Sequence, residues 1–295
     1  MQPLVTVLTP TYNCRKYLKQ TIDSVVNQQY CNLQYLVLDD GSQDGSPACV
    51  GRDLLSRCQV MWYEHEGEQR TVNKGLMNVK GKYFMIVNAD DPLKPGCIEI
   101  LVNFMEEHND ALCVYPDWEC INEDGQALWT FTTHPYDFLF MVRRHTCLPS
   151  VGTMFRSSII KTVGFRDTSF HWLGDFDYWL RIGRAGRMAR YPQVLACWRK
   201  RSGQESEKRS DGRAEEHVRV IQKLYSTVEE GDLLLEVQCE ALCWANLVAS
   251  GVCKSKAQMV KYATMAFLEW PMALTDIEFW DAARHRVARL FKRTM

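Results

Sequence analysis

The feature that most constrains this chain is an alternation, through its first 117 residues, of short β-branched runs with longer stretches of helical period. Runs at Val5–Leu8, Leu33–Leu38, Val60–Tyr63, Tyr83–Val87 and Leu112–Tyr115 predict strands. Between the first two, Leu18, Ile22, Val25 and Val26 recur on one helical face. After the fourth, Pro95 sits where a first helical position would be, and Ile98, Leu101, Val102 and Met105 repeat the helical spacing. Strands alternating with helices predict an α/β fold on a doubly wound, mixed but mostly parallel sheet. Ligands on such sheets bind beyond the carboxyl ends of the strands, so the residues after each strand are the ones to read.

Three of those ends are polar and turn-forming: Thr9-Pro10-Thr11-Tyr12-Asn13, Asp39-Asp40-Gly41-Ser42 and Asn88-Ala89-Asp90-Asp91-Pro92. Aspartate before Gly or Pro is good turn chemistry, and that alone accounts for either acidic pair. Hard cations such as Mg²⁺ or Mn²⁺ are held by one or two carboxylates together with substrate phosphates, and the last cluster offers that set. No GxGxxG occurs, and Gly75 to Gly81-Lys82 has the wrong spacing for a P-loop and ends in Tyr83. A nucleotidyltransferase would carry a Gly-rich basic loop after the first strand, which Asn13-Cys14-Arg15-Lys16 is not.

Composition removes other classes. The 295 residues carry a net charge of −1 with 46% hydrophobic and 24% charged residues, which is ordinary for a globular protein and leaves no bulk footprint for nucleic acid. The 12 cysteines form neither CxxC nor a Cys/His metal spacing. The first apolar segment, Leu4–Leu8, is too short for a signal peptide, and no apolar run is expected to approach the roughly 20 residues of a membrane span. The expectation is a soluble cytoplasmic protein. Residues 118–204 are aromatic-rich and less regular, Lys200–Gly212 is polar without period, and residues 205–295 read as a helical C-terminal region.

The stretches VTVLTPTYNCRKYLKQTIDSVVNQQY and LQYLVLDDGSQDGS resemble the opening of family 2 glycosyltransferases, which have the GT-A fold. NKGLMNVKGKYFMIVNADDPLKPG resembles that family's segment running into its DxD-type metal motif, and GDFDYWLRI resembles the (E/G)D motif that carries its catalytic base. The resemblance covers about residues 4–200, in the family's order. It implies a GT-A catalytic domain over 1–204, with nucleotide-sugar binding in 1–117 and an acceptor-side half in 118–204.

By that resemblance Pro10, Thr11 and Tyr12 meet the nucleotide base, and Asp40, with Asp39 beside it, accepts the imide N–H of uracil or thymine. Asp90 and Asp91 match the metal and ribose side of the DxD-type motif, with Asn88 where many members have Asp. The implied cofactor is a divalent metal, Mn²⁺ or Mg²⁺. Asp175 matches the general base, with Gly174 in place of the commoner Glu; capping of the helix that follows is the other reading of this carboxylate. Asp177 reads as a surface or salt-bridge carboxylate. Arg201 stands where many relatives carry a His over the diphosphate, and a solvated basic run explains it equally. Asn73, with Arg70 and Lys74 nearby, is a candidate for ribose or phosphate contact.

The implied activity is transfer of a sugar from a UDP- or dTDP-linked donor to a hydroxyl of a glycan or lipid-linked acceptor, with inversion, in surface polysaccharide or glycoconjugate assembly. A binding module of the same fold and, further off, a metal-dependent nucleotidyltransferase are the alternatives. Trp280, Ala283, Val287 and Leu290 share a helical face flanked by basic residues. That pattern fits a peripheral membrane contact through 280–295, packing against the catalytic domain, or a homodimer contact.

Overall fold

The computed structural model describes residues 2–46, 57–204, 208–277 and 279–281. Its elements in chain order begin with β1 (Val5–Thr11), α1 (Arg15–Val26), β2 (Leu33–Asp39), β3 (Gln59–Trp62), α2 (Glu68–Leu76), β4 (Tyr83–Ile86) and α3 (Cys97–Glu107). They continue with β5 (Ala111–Ile121), β6 (Ala127–Phe131), α4 (Phe138–Arg143), β7 (Met154–Arg156), α5 (Ile159–Thr162), α6 (Gly174–Ala185) and β8 (Arg187–Arg199). The last helices are α7 (Asp211–Tyr225), α8 (Gln238–Val252) and α9 (Lys256–Glu269). The chain divides into two compact units: residues 1–136 with 147–202, and residues 137–146 with 203–295.

The first unit is built on an eight-stranded sheet in the order β3-β2-β1-β4-β7-β5-β6, with β8 beside β5. Pairing is parallel from β3 through β2 and β1 to β4, antiparallel across β4/β7, β7/β5 and β5/β6, and parallel again for β5/β8. This is the mixed, mostly parallel sheet that the β–α alternation predicts. Every residue of β1 is buried, as a central strand covered on both faces requires. The predicted face of α1, Leu18, Ile22, Val25 and Val26, is buried in the core, as are Ile98, Leu101, Val102 and Met105 of α3.

Helix α2 packs on β1 and β2 through Gly75, where a Cβ would lie 3.2 Å from Leu8 Cδ1 and press still harder on Leu38 Cδ1. A mid-helix glycine costs about 0.5–1 kcal/mol, but full burial of a leucine returns roughly 1.5–3 kcal/mol, so the close approach prevails. The region that reads as irregular is long strand. β5 runs through Pro116 and pairs with β8 across register shifts at Ala111/Cys113, Pro116/Asp117 and Asp117/Trp118. Each shift resets the two-residue alternation, which hides the strands from a periodicity reading.

In the second unit, Ser210 caps α7 and Ser255 caps α9 through their side chains. Trp244, Phe279, Cys243, Ala266 and Ala273 form one fully buried cluster. Helix α4 belongs here, which corrects its expected place in the acceptor-side half. Arg143 and Arg144 lie 3.6 and 3.5 Å from the carboxylate of Glu240 on α8, and Met141 and Val142 are buried. Leu233–Val252 is a continuous 20-residue helical stretch of mean hydropathy 1.2, long and apolar enough to cross a membrane. It escapes notice as an apolar run because Glu236, Gln238, Glu240 and Asn246 interrupt it. Ala241, Cys243, Trp244, Ala245 and Ala249 are buried within the unit, while Leu233 and Leu235 at the start of the stretch are exposed. The basic face expected in 280–295 lies outside the described residues from 282 onward.

Candidate active site

Parallel register sets the first part of the site. Thr11 at the end of β1 lies beside Asp39 at the end of β2. Thr11 Oγ1 and Asp39 Oδ1 are both buried without a hydrogen-bond partner among the described residues, while Asp39 Oδ2 accepts from the Ser42 backbone N–H at 3.1 Å. Unpaired buried acceptors are costly, and here a pair of them shares one strand-end face. Pro10 is buried inside β1, and Tyr12 just beyond it is 46% exposed and stacks on His65 with ring centroids 4.0 Å apart.

Asp40 is differently engaged. Its Oδ1 accepts from the Glu66 backbone N–H at 3.0 Å and from Thr71 Oγ1 at 2.7 Å, and its Oδ2 accepts from the Gly67 backbone N–H at 3.0 Å, with His65 Nδ1 at 2.8 Å. The carboxylate expected to read the base is spent on holding the loop that enters α2, and Asp39 presents the open oxygen instead. Asn73 is likewise spent: its amide donates to the Arg166 carbonyl at 2.8 Å and accepts from the Arg166 N–H at 2.9 Å. It clasps two loops together and turns neither polar end to a ligand. Lys74 pairs with Glu66 at 2.9 Å.

The turn after β4 forms the second part. Buried Arg199, the last residue of β8, organises it: Nε donates to the Asp90 carbonyl at 3.0 Å, the backbone N–H to Asp91 Oδ1 at 2.8 Å, and Nη2 to Gln20 Oε1 at 2.7 Å. Asp91 also accepts from Asn88 Nδ2 at 3.1 Å. Burial, then the neighbouring Asp90 charge, pushes the Asp91 carboxyl up to about 8. Asp90 faces the other way and receives Arg201 Nε on Oδ2 at 2.6 Å. Asn88 is exposed.

Asp175 forms the third part. It stands in the first turn of α6, reached by solvent yet crowded by protein, and its Oδ1 accepts from the Phe176 N–H at 2.7 Å. Desolvation raises its pKa, Arg166 draws it down and Glu68 pushes it back up. Arg166 Nη1 bridges Glu68 Oε1 and Gln69 Oε1, each at 3.1 Å. A chain of contacts therefore runs from Asp40 through the 66–67 loop to the start of α2, and on through Arg166 to the neighbourhood of Asp175. A Cβ at Gly174 would lie 2.5 Å from Gln69 Oε1. Gln69 fills the space that a side chain at position 174 would need. Asp177 is buried rather than superficial, and pairs with Arg181 at 2.9 Å.

The sequence profile described as Glycosyl transferase family 2 matches residues 6–164, more than half of the chain. The chain belongs to glycosyl transferase family 2. An uncharacterized glycosyltransferase of Rickettsia prowazekii is 26% identical over 200 residues, spanning 65% of this chain and 63% of that protein. The hyaluronan synthase of Pasteurella multocida is 25% identical over 191 residues, 63% of this chain but 19% of the synthase. The chain thus spans less than two thirds of the length of either of these two relatives. In fold it resembles S. aureus TarS 1-349, solved with UDP-GlcNAc, at TM-score 0.68 and 17% identity over 97% of this chain and 83% of that one. It also resembles a mannosyltransferase of Pyrobaculum calidifontis, solved with GDP-Man and Mn²⁺, at TM-score 0.59 and 20% identity over 99% and 87%.

For a family 2 glycosyltransferase the implied cofactor is a divalent cation, and the donor set at the β4 turn tests the fit. Among the described residues no cluster of three or more His, Cys, Asp or Glu could hold a metal alone. Asp91 does not fit, because it is buried with one oxygen accepting from Asn88 in the turn and the other from the Arg199 N–H of β8. Asp90 does fit: it already holds a cationic group, and exposed Asn88 lies beside it. One carboxylate completed by substrate phosphates and water is an adequate site for a hard ion. Sequence reading missed Arg199, Arg166, Gln69 and His65. Three of them act through contacts across more than 90 residues, and no local pattern signals such contacts.

Proposed function

We propose that this chain moves a sugar from a UDP- or dTDP-linked donor to a hydroxyl of a glycan or lipid-linked acceptor, with inversion, in the assembly of a polysaccharide or glycoconjugate. The observation that carries the reading is Asp175. Its carboxyl is open to solvent, raised in pKa, and lies within the charge fields of Arg166 and Glu68, which pair with each other at the start of α2.

In this account the unpaired oxygens of Asp39 and Thr11 receive the imide N–H and a neighbouring polar group of the base, and Tyr12 with His65 supplies an aromatic surface beside them. Asp90 would hold the cation, with Asn88 adjacent; a bound divalent ion supplies neutralisation of the charge that develops on the leaving diphosphate. Asp175 takes the proton from the acceptor hydroxyl as its oxygen attacks the anomeric carbon, a role that contributes roughly 10²–10⁴-fold. The hyaluronan synthase likeness supports an acceptor that is itself a saccharide. A cytoplasmic setting belongs to the same proposal, supported by the absence of any disulfide among the described residues.

Thermal shift with nucleoside diphosphates tests the donor half. UDP or dTDP at a hundredfold excess over Kd should stabilise the protein by about 2.7 kcal/mol, and Asp39→Ala should remove most of that shift. An Asp39→Ala protein stabilised as well as wild type would place the base elsewhere.

A further inference from the structure

Two observations concern the β4 turn: Asp90 is the only carboxylate there free of the turn's internal hydrogen bonds, and Arg201 Nε already sits on it at 2.6 Å. Resting on the nucleotide-sugar reading above, we propose that Arg201 is a tethered counter-ion which holds the cation position at Asp90 until a diphosphate arrives, and then exchanges partners. The guanidinium passes to the diphosphate and Asp90 is released to the divalent cation.

The fold permits the exchange. Arg199 fixes the Asp90 backbone through its carbonyl, so the carboxylate stays in place when its partner leaves. Arg201 lies beyond the end of β8, so its side chain can swing without breaking a strand pairing, and it is 35% exposed against 14% for Asp90. The Ser202 N–H donates to Glu123 Oε1 at 3.0 Å and tethers the next residue of the segment. A guanidinium on the one usable carboxylate cancels its charge, so a bare cation gains little there. A diphosphate offers the guanidinium a bidentate anion that it prefers to a single carboxylate oxygen. The pair thus makes cation capture conditional on donor capture.

The test measures Mn²⁺ binding directly, by the loss of the free-ion electron paramagnetic resonance signal, on the full chain without nucleotide. Arg201→Gln should bind Mn²⁺ about tenfold tighter than wild type, and should bind UDP in the presence of EDTA about tenfold more weakly. Arg201→Lys keeps the charge, so its Mn²⁺ affinity should stay within about threefold of wild type, while UDP affinity falls because the fork is lost. A wild type that binds UDP, with an Arg201→Gln variant that gains no Mn²⁺ affinity, overturns the exchange alone. An Arg201→Lys variant that matches wild type for UDP also overturns it. A wild type that binds no nucleoside diphosphate overturns the donor reading on which the exchange rests.

Discussion

Gly174 stands against Gln69 with no room for a methyl group between them. By resemblance to the family it is a lost glutamate beside the base, but Gln69, itself buried and held by Arg166, occupies the volume a side chain would need. Gly174→Ala should therefore destabilise the protein by about 1–3 kcal/mol through overpacking. Combining it with Gln69→Ser should recover much of the loss, so urea melts of the four proteins should give a clear coupling energy. Asp39 and Asp40 show the limit of reading at this scale. Two adjacent aspartates are equivalent in the sequence, and the backbone N–H groups of Glu66 and Gly67, more than 25 residues away, decide which one remains open. With Asp175 as the proposed base, its raised pKa means that protonation removes it as pH falls, and the acid limb of turnover should lie above an ordinary aspartate's titration. Arg166 lowers that pKa and Glu68 raises it. Arg166→Gln should move the limb to higher pH and Glu68→Gln to lower pH, read from pH–rate profiles. Identical profiles would show that Asp175 does not set the limb.

The elements were legible in proportion to their regularity. The strands of the parallel half and the apolar faces of α1 and α3 stand where β-branched runs and helical spacing put them, because central strands and half-buried helices leave periodic signatures. Of the β5/β8 pair only Leu112–Tyr115 was legible as strand, since register shifts interrupt the alternation beyond it. The loop between β3 and α2 is held by the Asp40 carboxylate, which accepts from two backbone N–H groups and a threonine hydroxyl. Asp40→Asn puts an amide donor against one of those donors, and should cost about 1–3 kcal/mol in denaturant unfolding. It should also loosen the start of α2, seen as faster amide exchange over 66–71. A variant as stable as wild type would mean that the cradle contributes nothing net.

At the scale of the whole chain, the division into a sheet-based unit and a helical unit follows the change from mixed to purely helical patterning near residue 202. The assignment of 137–146 to the helical unit depends on the pairing of Arg143 and Arg144 with Glu240, about 100 residues on, and could not be read locally. Global stability carries a pH signature from the β4 turn. The Asp91 carboxyl is raised to about 8 when folded, so the folded state binds its proton more tightly than the unfolded chain. Its contribution is complete at acid pH, below the unfolded value of about 4, and is lost as pH rises toward the folded value. Asp91→Asn should flatten the decline in stability between about pH 5 and 8, measured by chemical denaturation. On the proposed function, Asp175 is the base of a glycosyl transfer that releases a nucleoside diphosphate. The direct measurement is the rate of diphosphate release from UDP- and dTDP-sugars with a saccharide acceptor and Mn²⁺, for wild type and Asp175→Asn. Nucleoside diphosphate should be the product, with a loss of roughly 10²–10⁴-fold in the variant and unchanged affinity for UDP. Equal rates in the two proteins, or pyrophosphate as the product, would contradict it.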